Sequence, residues 1–320
     1  GSEMCIRDSD NTIDATIITN NCNSNDCESP CARAACFTLS SFPKITGKLY
    51  EICSKNHNIG PKATMDVTNG LSKCNLCDFG MTPKYYKLLY RLLLRRANKI
   101  IVTSKKMSAQ FEQHFLVKPS SLFLINNPVD RNAVRSAKAA GELYDGAKRK
   151  FIAVGRLVRQ KRYDRMIDYM SNMDADDRLL IIGSGPEEAA IRNLIKAKGL
   201  EAQIELHGPS DCPWSFMQNA DALLLSSQWE GMPNIVLEAM CIGLPVIASG
   251  QCGGIEELIS DPDLGTIRIC KTKSQFISAM KNVQLMEIDN NRKSCLPERY
   301  EIKTVSAVFR KMLNHTVMKT

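Results

Sequence analysis

Ala222-Leu223-Leu224-Leu225-Ser226, followed three residues later by Glu230-Gly231-Met232-Pro233-Asn234-Ile235-Val236-Leu237-Glu238, decides the fold. An unbroken apolar run of strand length leads into a glycine-proline-asparagine turn, and Ile235 to Gly243 then reads as a helix. Two carboxylates, Glu230 and Glu238, bracket the place where the strand becomes the helix. In an open α/β sheet the crevice beyond the carboxyl ends of the strands is the usual ligand site. The start of a helix offers unpaired backbone N–H groups and a partial positive charge to a phosphate. Pro233 is expected in the first helical turn, where its missing N–H costs nothing.

Outward from this stretch, the same strand-loop-helix unit repeats from residue 150 onward. Strands are expected at Lys150 to Val154, Arg178 to Ile182, Gln203 to His207 and Pro245 to Ser249. Helices are expected at Tyr163 to Met173, Glu187 to Lys198 and Trp214 to Gln218, with a short one from Ile255. Short apolar strands alternating with helices imply a parallel sheet covered on both faces. Upstream, a helix over Tyr85 to Asn98, a strand over Lys99 to Thr103, a helix over Lys106 to His114 and a strand over Leu122 to Ile125 precede the turn residues Asn126-Asn127-Pro128-Val129-Asp130. A domain boundary is expected between Asp130 and Lys150, and a last helix over Ile302 to Leu313.

The chain of 320 residues, 44% hydrophobic and 24% charged, has globular composition and room for two domains. Residues 1 to 150 carry 22 Lys and Arg against 13 Asp and Glu, whereas residues 151 to 320 carry 20 against 21, so the net +8 resides in the first half. A one-sided basic surface suits an anionic partner or is simply a solvated face. The amphipathic, basic segment Tyr85 to Arg96 can lie on an anionic membrane or pack with its charges outward; no nucleic-acid partner is expected. No run of about 18 apolar residues is present, so no spanning helix is expected. Gly1-Ser2 reads as a cloning remnant, and Glu3 to Ser29 lacks the order of a signal peptide. Of the 13 cysteines, eight precede residue 80. Their irregular spacing, with Cys74 and Cys77 as a lone CxxC, favours reduced thiols in a cytosolic protein over a disulfide framework or a zinc site.

With these residues placed, the second half resembles the nucleotide-sugar-binding domain of the family-4 retaining glycosyltransferases. The signals are Val154-Gly155-Arg156-Leu157 with Gln160-Lys161, Gly183-Ser184-Gly185-Pro186, Ser226 to Glu238, Gly243-Leu244-Pro245-Val246-Ile247-Ala248-Ser249 and Gly253-Gly254-Ile255-Glu256-Glu257, in that order. The resemblance covers roughly residues 95 to 260 and implies the GT-B fold, two Rossmann-like α/β domains with parallel sheets facing across a cleft. The expected division is a poorly structured or cloning-derived segment over 1–35, a truncated N-terminal acceptor domain over 36–140, a donor domain over 141–300 and a C-terminal helix over 301–320. The family's opening strand and glycine-rich loop are not recognisable upstream. Neither His57 nor His114 stands where the family's histidine is expected, so neither is given a catalytic role.

The chemistry implied is transfer of a sugar, with retention, from a nucleotide diphosphate sugar to a hydroxyl of a glycan or lipid-linked acceptor in surface polysaccharide assembly. Breaking the anomeric bond leaves a diphosphate, and positive groups aimed at that developing charge are the largest catalytic aid available. In the resemblance Arg156 and Lys161 supply them, with no metal and no cofactor. Glu230 takes the donor sugar's hydroxyls and Glu238 the ribose hydroxyls, since a carboxylate accepts two hydrogen bonds at once. Gly155, Gly183, Gly185, Gly231, Met232, Pro233, Asn234, Gly253 and Gly254 complete the expected donor site, with Ser184 and His207 as weaker candidates. Gly231 to Asn234 and Gly253-Gly254 would bring backbone N–H groups to the phosphates. Gly183-Ser184-Gly185-Pro186 lacks the third glycine of a dinucleotide fingerprint, so a nicotinamide cofactor is not expected. No setting for a pyridoxal-binding lysine is visible, which argues against a phosphorylase. The alternative from another class is a truncated or non-catalytic subunit that binds nucleotide sugar without transfer. The location implied is the cytoplasm or the cytoplasmic face of the membrane.

Overall fold

The computed structural model describes residues 63–66, 71–74, 94, 99–140, 146–250, 253–259, 267–285 and 292–317. The expected segment 1–35, His57, Cys77 and the helix over 85–98, apart from the helical Leu94, lie outside the described residues. The chain separates into two compact units, one containing Arg131–Pro297 and the other Ile13–Asp130 with Glu298–Thr320. Both are α/β.

In the unit containing residues 131–297, six strands form one parallel sheet. They are β5 (Lys150–Val154), β6 (Arg178–Ile182), β7 (Ile204–Gly208), β8 (Ala222–Leu225), β9 (Val246–Ser249) and β10 (Ile267–Cys270), in the order β10-β9-β8-β5-β6-β7. Burial follows position in the sheet. Every residue of β8 and β9 is buried, whereas the edge strand β7 alternates between hidden and exposed residues. Continuous apolar runs are what a strand covered on both faces requires, and alternation is what a half-covered edge requires.

Helix α3 (Tyr163–Met170) closes one face with Tyr163, Met166, Ile167 and Met170, the i, i+3, i+4, i+7 stripe of an amphipathic helix. It ends three residues before its expected end, and Met170 O then accepts from Met173 N in a turn. Helix α6 (Asn234–Ile242) is buried from Val236 through Ile242, so it lies inside rather than on the surface. Pro233 is its N-cap with extended backbone, one position before the expected place. Gly243 ends the helix at φ 78°, and a side chain there would collide with the carbonyl of Lys293. Helices α4 (Glu188–Ala197), α5 (Pro213–Met217) and the short α7 (Glu256–Ile259) occupy expected places. Strand β10 and helix α8 (Lys273–Lys281), capped by Thr272, extend the sheet beyond what the sequence signals announce.

In the second unit, β1 (Ala63–Asp66), β2 (Leu71–Cys74), β3 (Lys99–Val102) and β4 (Leu122–Leu124) form a sheet in that order. The pair β1–β2 is antiparallel and the others are parallel. Its antiparallel edge was not anticipated from the sequence. Along β3, Ile100 and Val102 are buried with Met107, Phe111 and Phe115 of α1 (Lys105–Phe115). Ile101 joins the other cluster, which holds Ile125, Val305 and Met312 and draws on α9 (Ile302–Val317). Alternate side chains of one strand thus feed two small cores. Val129 N and Ile302 N bond to the carbonyls of Tyr300 and Val129, tying the returning chain to this unit. Helix α2 (Arg131–Ser136) opens the other unit, where Arg131 donates to Ser294 Oγ and the Leu296 carbonyl.

Candidate active site

The six-stranded sheet changes direction between β5 and β8: β5 leads outward to β6 and β7, while β8 leads the opposite way to β9 and β10. Beyond the carboxyl ends of two such strands their following loops diverge, which leaves the crevice where α/β sheets bind ligands. Arg156 and Lys161 follow β5, and Glu230 follows β8.

Lys161 Nζ lies 2.9 Å from Glu230 Oε1, and only about a tenth of either side chain is exposed (10% and 9%). Ser227 Oγ donates to the same Glu230 oxygen at 2.6 Å. Three further donors hold the two loops together. Gln160 Nε2 reaches the Trp229 carbonyl at 2.8 Å, Gln228 N reaches the Gln160 carbonyl at 2.8 Å, and Ser226 Oγ sits 2.8 and 2.9 Å from the carbonyls of Lys161 and Arg162. Arg162 has φ 54°, a left-handed conformation that non-glycine residues seldom adopt. Strain of this kind persists where surrounding contacts over-determine it, and the Ser226 hydroxyl is such a contact. The guanidinium of Arg162 also bonds to Asp164, which holds that carboxyl below its ordinary range. Ser249 Oγ donates to the Ser227 carbonyl at 2.8 Å, linking the end of β9 to the same loop.

Glu238 stands apart from this pair. It lies in α6, is 6% exposed, and accepts a 2.7 Å hydrogen bond at Oε2 from the indole Nε1 of Trp214, itself 7% exposed. A buried carboxylate needs a donor, and α5 supplies it. Arg156 is half-buried in the turn after Gly155, where its carbonyl accepts from Val158 N. Met232 and Pro233 are buried and Asn234 is half-buried.

The glycines prove to serve the joints between loops. A side chain at Gly183, where φ is 148°, would run into the Gly155 carbonyl, and one at Gly254 into the Gly231 carbonyl. At Gly185 the neighbour is the Leu157 backbone, and at Gly155 it is the Lys161 stem and the Tyr163 hydroxyl. Gly253 opens the single helical turn Gly253–Ile255 before α7. At Gly183, Gly185 and Gly254 the space that the missing side chain leaves is thus taken by backbone of a neighbouring loop. Ser184 contributes its carbonyl to Leu157 N, while the His207 ring packs against Phe216.

Sequence reading placed Ser226 within a motif and Trp214 only on a short helix. The signal available for Trp214 was chemical: an indole N–H donates and never accepts, so a buried one demands an acceptor nearby. Burial pushes the Cys241 thiol up to about 11. No helix among the described residues is long and apolar enough to cross a membrane.

Comparison with known proteins follows this geometry. The sequence model described as "Glycosyl transferases group 1" matches residues 135–296, the part that carries every residue of the site. The chain is 26% identical over 209 residues to N-acetylgalactosamine-N,N'-diacetylbacillosaminyl-diphospho-undecaprenol 4-alpha-N-acetylgalactosaminyltransferase of Campylobacter jejuni, covering 65% of this chain and 56% of that one. To the amylovoran biosynthesis glycosyltransferase AmsD of Erwinia amylovora it is 28% identical over 169 residues, covering 52% and 47%. The chain spans about half the length of these curated relatives. Among solved structures, Anabaena HepE in complex with UDP superposes with a TM-score of 0.64 at 18% identity, covering 75% of this chain and 70% of that one. The lipopolysaccharide outer core galactosyltransferase WaaB in its apo form superposes with 0.56 at 22%, covering 73% and 65%. These likenesses show that the fold is the GT-B architecture of glycosyltransferases. Because its family model spans half of the chain and all six strands of the larger sheet, this protein belongs to the glycosyl transferases group 1 family.

Proposed function

We propose that the chain is a retaining glycosyltransferase of the family-4 type, a hexosyltransferase that moves a sugar from a nucleotide diphosphate donor to a hydroxyl of a glycan or lipid-linked acceptor. The observation that carries the reading is the nearly buried Lys161–Glu230 contact at the reversal point of the sheet. A cation and a carboxylate held side by side can serve a ligand that is anionic at one end and a polyol at the other. Lys161 and Arg156 take the diphosphate, Glu230 the hydroxyls of the sugar and Glu238 those of the ribose.

In the reaction, the bond from the anomeric carbon to the diphosphate oxygen breaks as the acceptor oxygen bonds to the same face of that carbon. The acceptor's proton passes to the departing diphosphate, whose growing negative charge Lys161 and Arg156 stabilise. These two cations make a divalent metal unnecessary. The diphospho-undecaprenol named for the Campylobacter relative, the amylovoran biosynthesis named for the Erwinia one and the UDP bound to HepE support a role in surface polysaccharide assembly, which the proposal places at the cytoplasmic face of a membrane. The basic charge of the first 150 residues suits an anionic surface.

Alanine at Arg156, Lys161 or Glu230 is expected to abolish transfer while leaving the circular dichroism spectrum unchanged; full activity in any of the three rejects the assignment. Calorimetric binding of a nucleotide sugar without turnover in the unmodified chain would instead support the binding-only alternative.

A further inference from the structure

Glu238, enclosed in α6, takes a hydrogen bond from an uncharged donor. The donor is the indole N–H of Trp214, 2.7 Å from Oε2, and both residues are more than nine-tenths buried. Trp214 is held firmly. Helix α5 begins at Pro213, Ser215 O accepts from Ala140 N, and the amides of Gln218 and Asn219, just beyond the helix, donate to the carbonyls of Ala137 and Ala140. An indole can only donate. It therefore fixes one oxygen of the carboxylate and, unlike Lys161 at Glu230, does so without contributing a neutralising positive charge. The carboxylate is thereby held in one orientation, which is what recognition of a hydroxyl pair requires.

We infer that Trp214 is a positioning residue that sets the specificity for ribose: through Glu238 Oε2 it holds the carboxylate that reads the ribose hydroxyls of the nucleoside diphosphate. The inference rests on the proposed function and deepens it, since the reading of Glu238 as the ribose carboxylate comes from there. A pair that served only to pin α5 to α6 would affect stability but not the choice between sugars.

The test compares calorimetric dissociation constants of UDP, GDP and ADP with those of their 2′-deoxy and 3′-deoxy counterparts on the full chain. The unmodified protein is expected to favour the ribose form of its preferred nucleotide by about tenfold, the size of one hydrogen bond to a charged group. In Trp214→Phe that preference is expected to shrink to about twofold, while weakening by Arg156→Ala falls equally on both forms. Trp214→His, which retains a ring N–H, is expected to recover part of the preference. A second measurement needs no replacement of Trp214: its indole N–H resonance, assigned by removing the other tryptophan in Trp229→Phe, should shift on saturation with the ribonucleotide and shift less with the deoxy form. A full ribose preference in Trp214→Phe, or an indole resonance that moves identically with both forms, overturns the inference. If no nucleoside diphosphate binds, or if Glu238→Gln leaves the preference intact, the underlying reading fails and the inference with it.

Discussion

Glu230 and Glu238 flank one loop, yet the protein houses them in opposite ways. Glu230 sits in irregular chain between the ends of β8 and α6, faces the ammonium of Lys161 and takes the Ser227 hydroxyl. Glu238 is enclosed in a wholly buried stretch of helix and is met by a neutral indole. The first arrangement balances charge across two loops, so each partner depends on the other. The second constrains the direction of one carboxylate oxygen through an uncharged donor. In the proposed reaction the first therefore belongs with the bond that breaks, and the second with recognition of the part of the donor that does not react.

The largest effect that separates the two neighbourhoods should come from Lys161→Met. It removes the cation from both the leaving group and Glu230, and kcat is expected to fall by about 10² to 10³, the loss typical for one electrostatic contact to a developing charge. Urea titration should also show destabilisation of about 3 kcal/mol, because a nearly buried carboxylate loses its partner. Lys161→Met combined with Glu230→Gln should regain most of that stability and none of the activity. Recovery of activity in the double variant would break the comparison.

A smaller effect, shared by both neighbourhoods, is expected from Gly254→Ala. Its methyl group has no room against the Gly231 carbonyl, so the loop bearing Glu230 must shift. The cost should be about 1 to 3 kcal/mol, with weaker nucleotide binding in calorimetry. Trp214→Phe should cost a similar 1 to 3 kcal/mol by leaving a buried carboxylate short of one donor.

Farther from the site, hydrogen bonds from Lys273 and Lys198 hold Asp168 below its ordinary range. A carboxyl depressed in the folded state adds stability above its unfolded value, near pH 4, and loses it as the pH falls through the lower folded value. Asp168→Asn should thus lower the melting temperature at neutral pH by an amount worth less than about 1 kcal/mol for so exposed a pair. The two melting curves should converge as the pH falls below that lowered value. The smallest expected effect is none: chelation by EDTA should leave transfer unchanged, and a loss restored by a divalent ion would show that Arg156 and Lys161 do not suffice.

The interior of the six-stranded unit was legible because Ala222–Leu225 and Val246–Ala248 are continuous apolar runs bounded by turn residues, the pattern of a strand covered on both faces. Strand β10 escaped notice for the complementary reason. Ile267-Arg268-Ile269-Cys270 lies at an edge and keeps a charge within four residues, so it forms no continuous apolar run. The four-residue strands β1 and β2, Ala63-Thr64-Met65-Asp66 and Leu71-Ser72-Lys73-Cys74, are mixed polar as well, although only β1 lies at an edge.

At the site, residue types could be chosen from the chain, but their pairing could not. Lys161 and Glu230 are 69 positions apart, and nothing local states that the loop after β5 meets the loop after β8 until the strand order is known. The glycines show the same limit: a missing side chain is visible in sequence, whereas the atoms that fill its place, the carbonyls of Gly155 and Gly231, belong to other loops.

The central claim, that the reversal point between β5 and β8 holds a nucleotide diphosphate sugar, is tested most directly by a thermal-shift panel of uridine, guanosine and adenosine diphosphate sugars. A ligand that binds only the folded state raises the apparent melting temperature. The account predicts a rise with at least one of them that disappears in Arg156→Ala and Lys161→Met; an unchanged melting temperature across the panel, or a rise that survives both replacements, would contradict it.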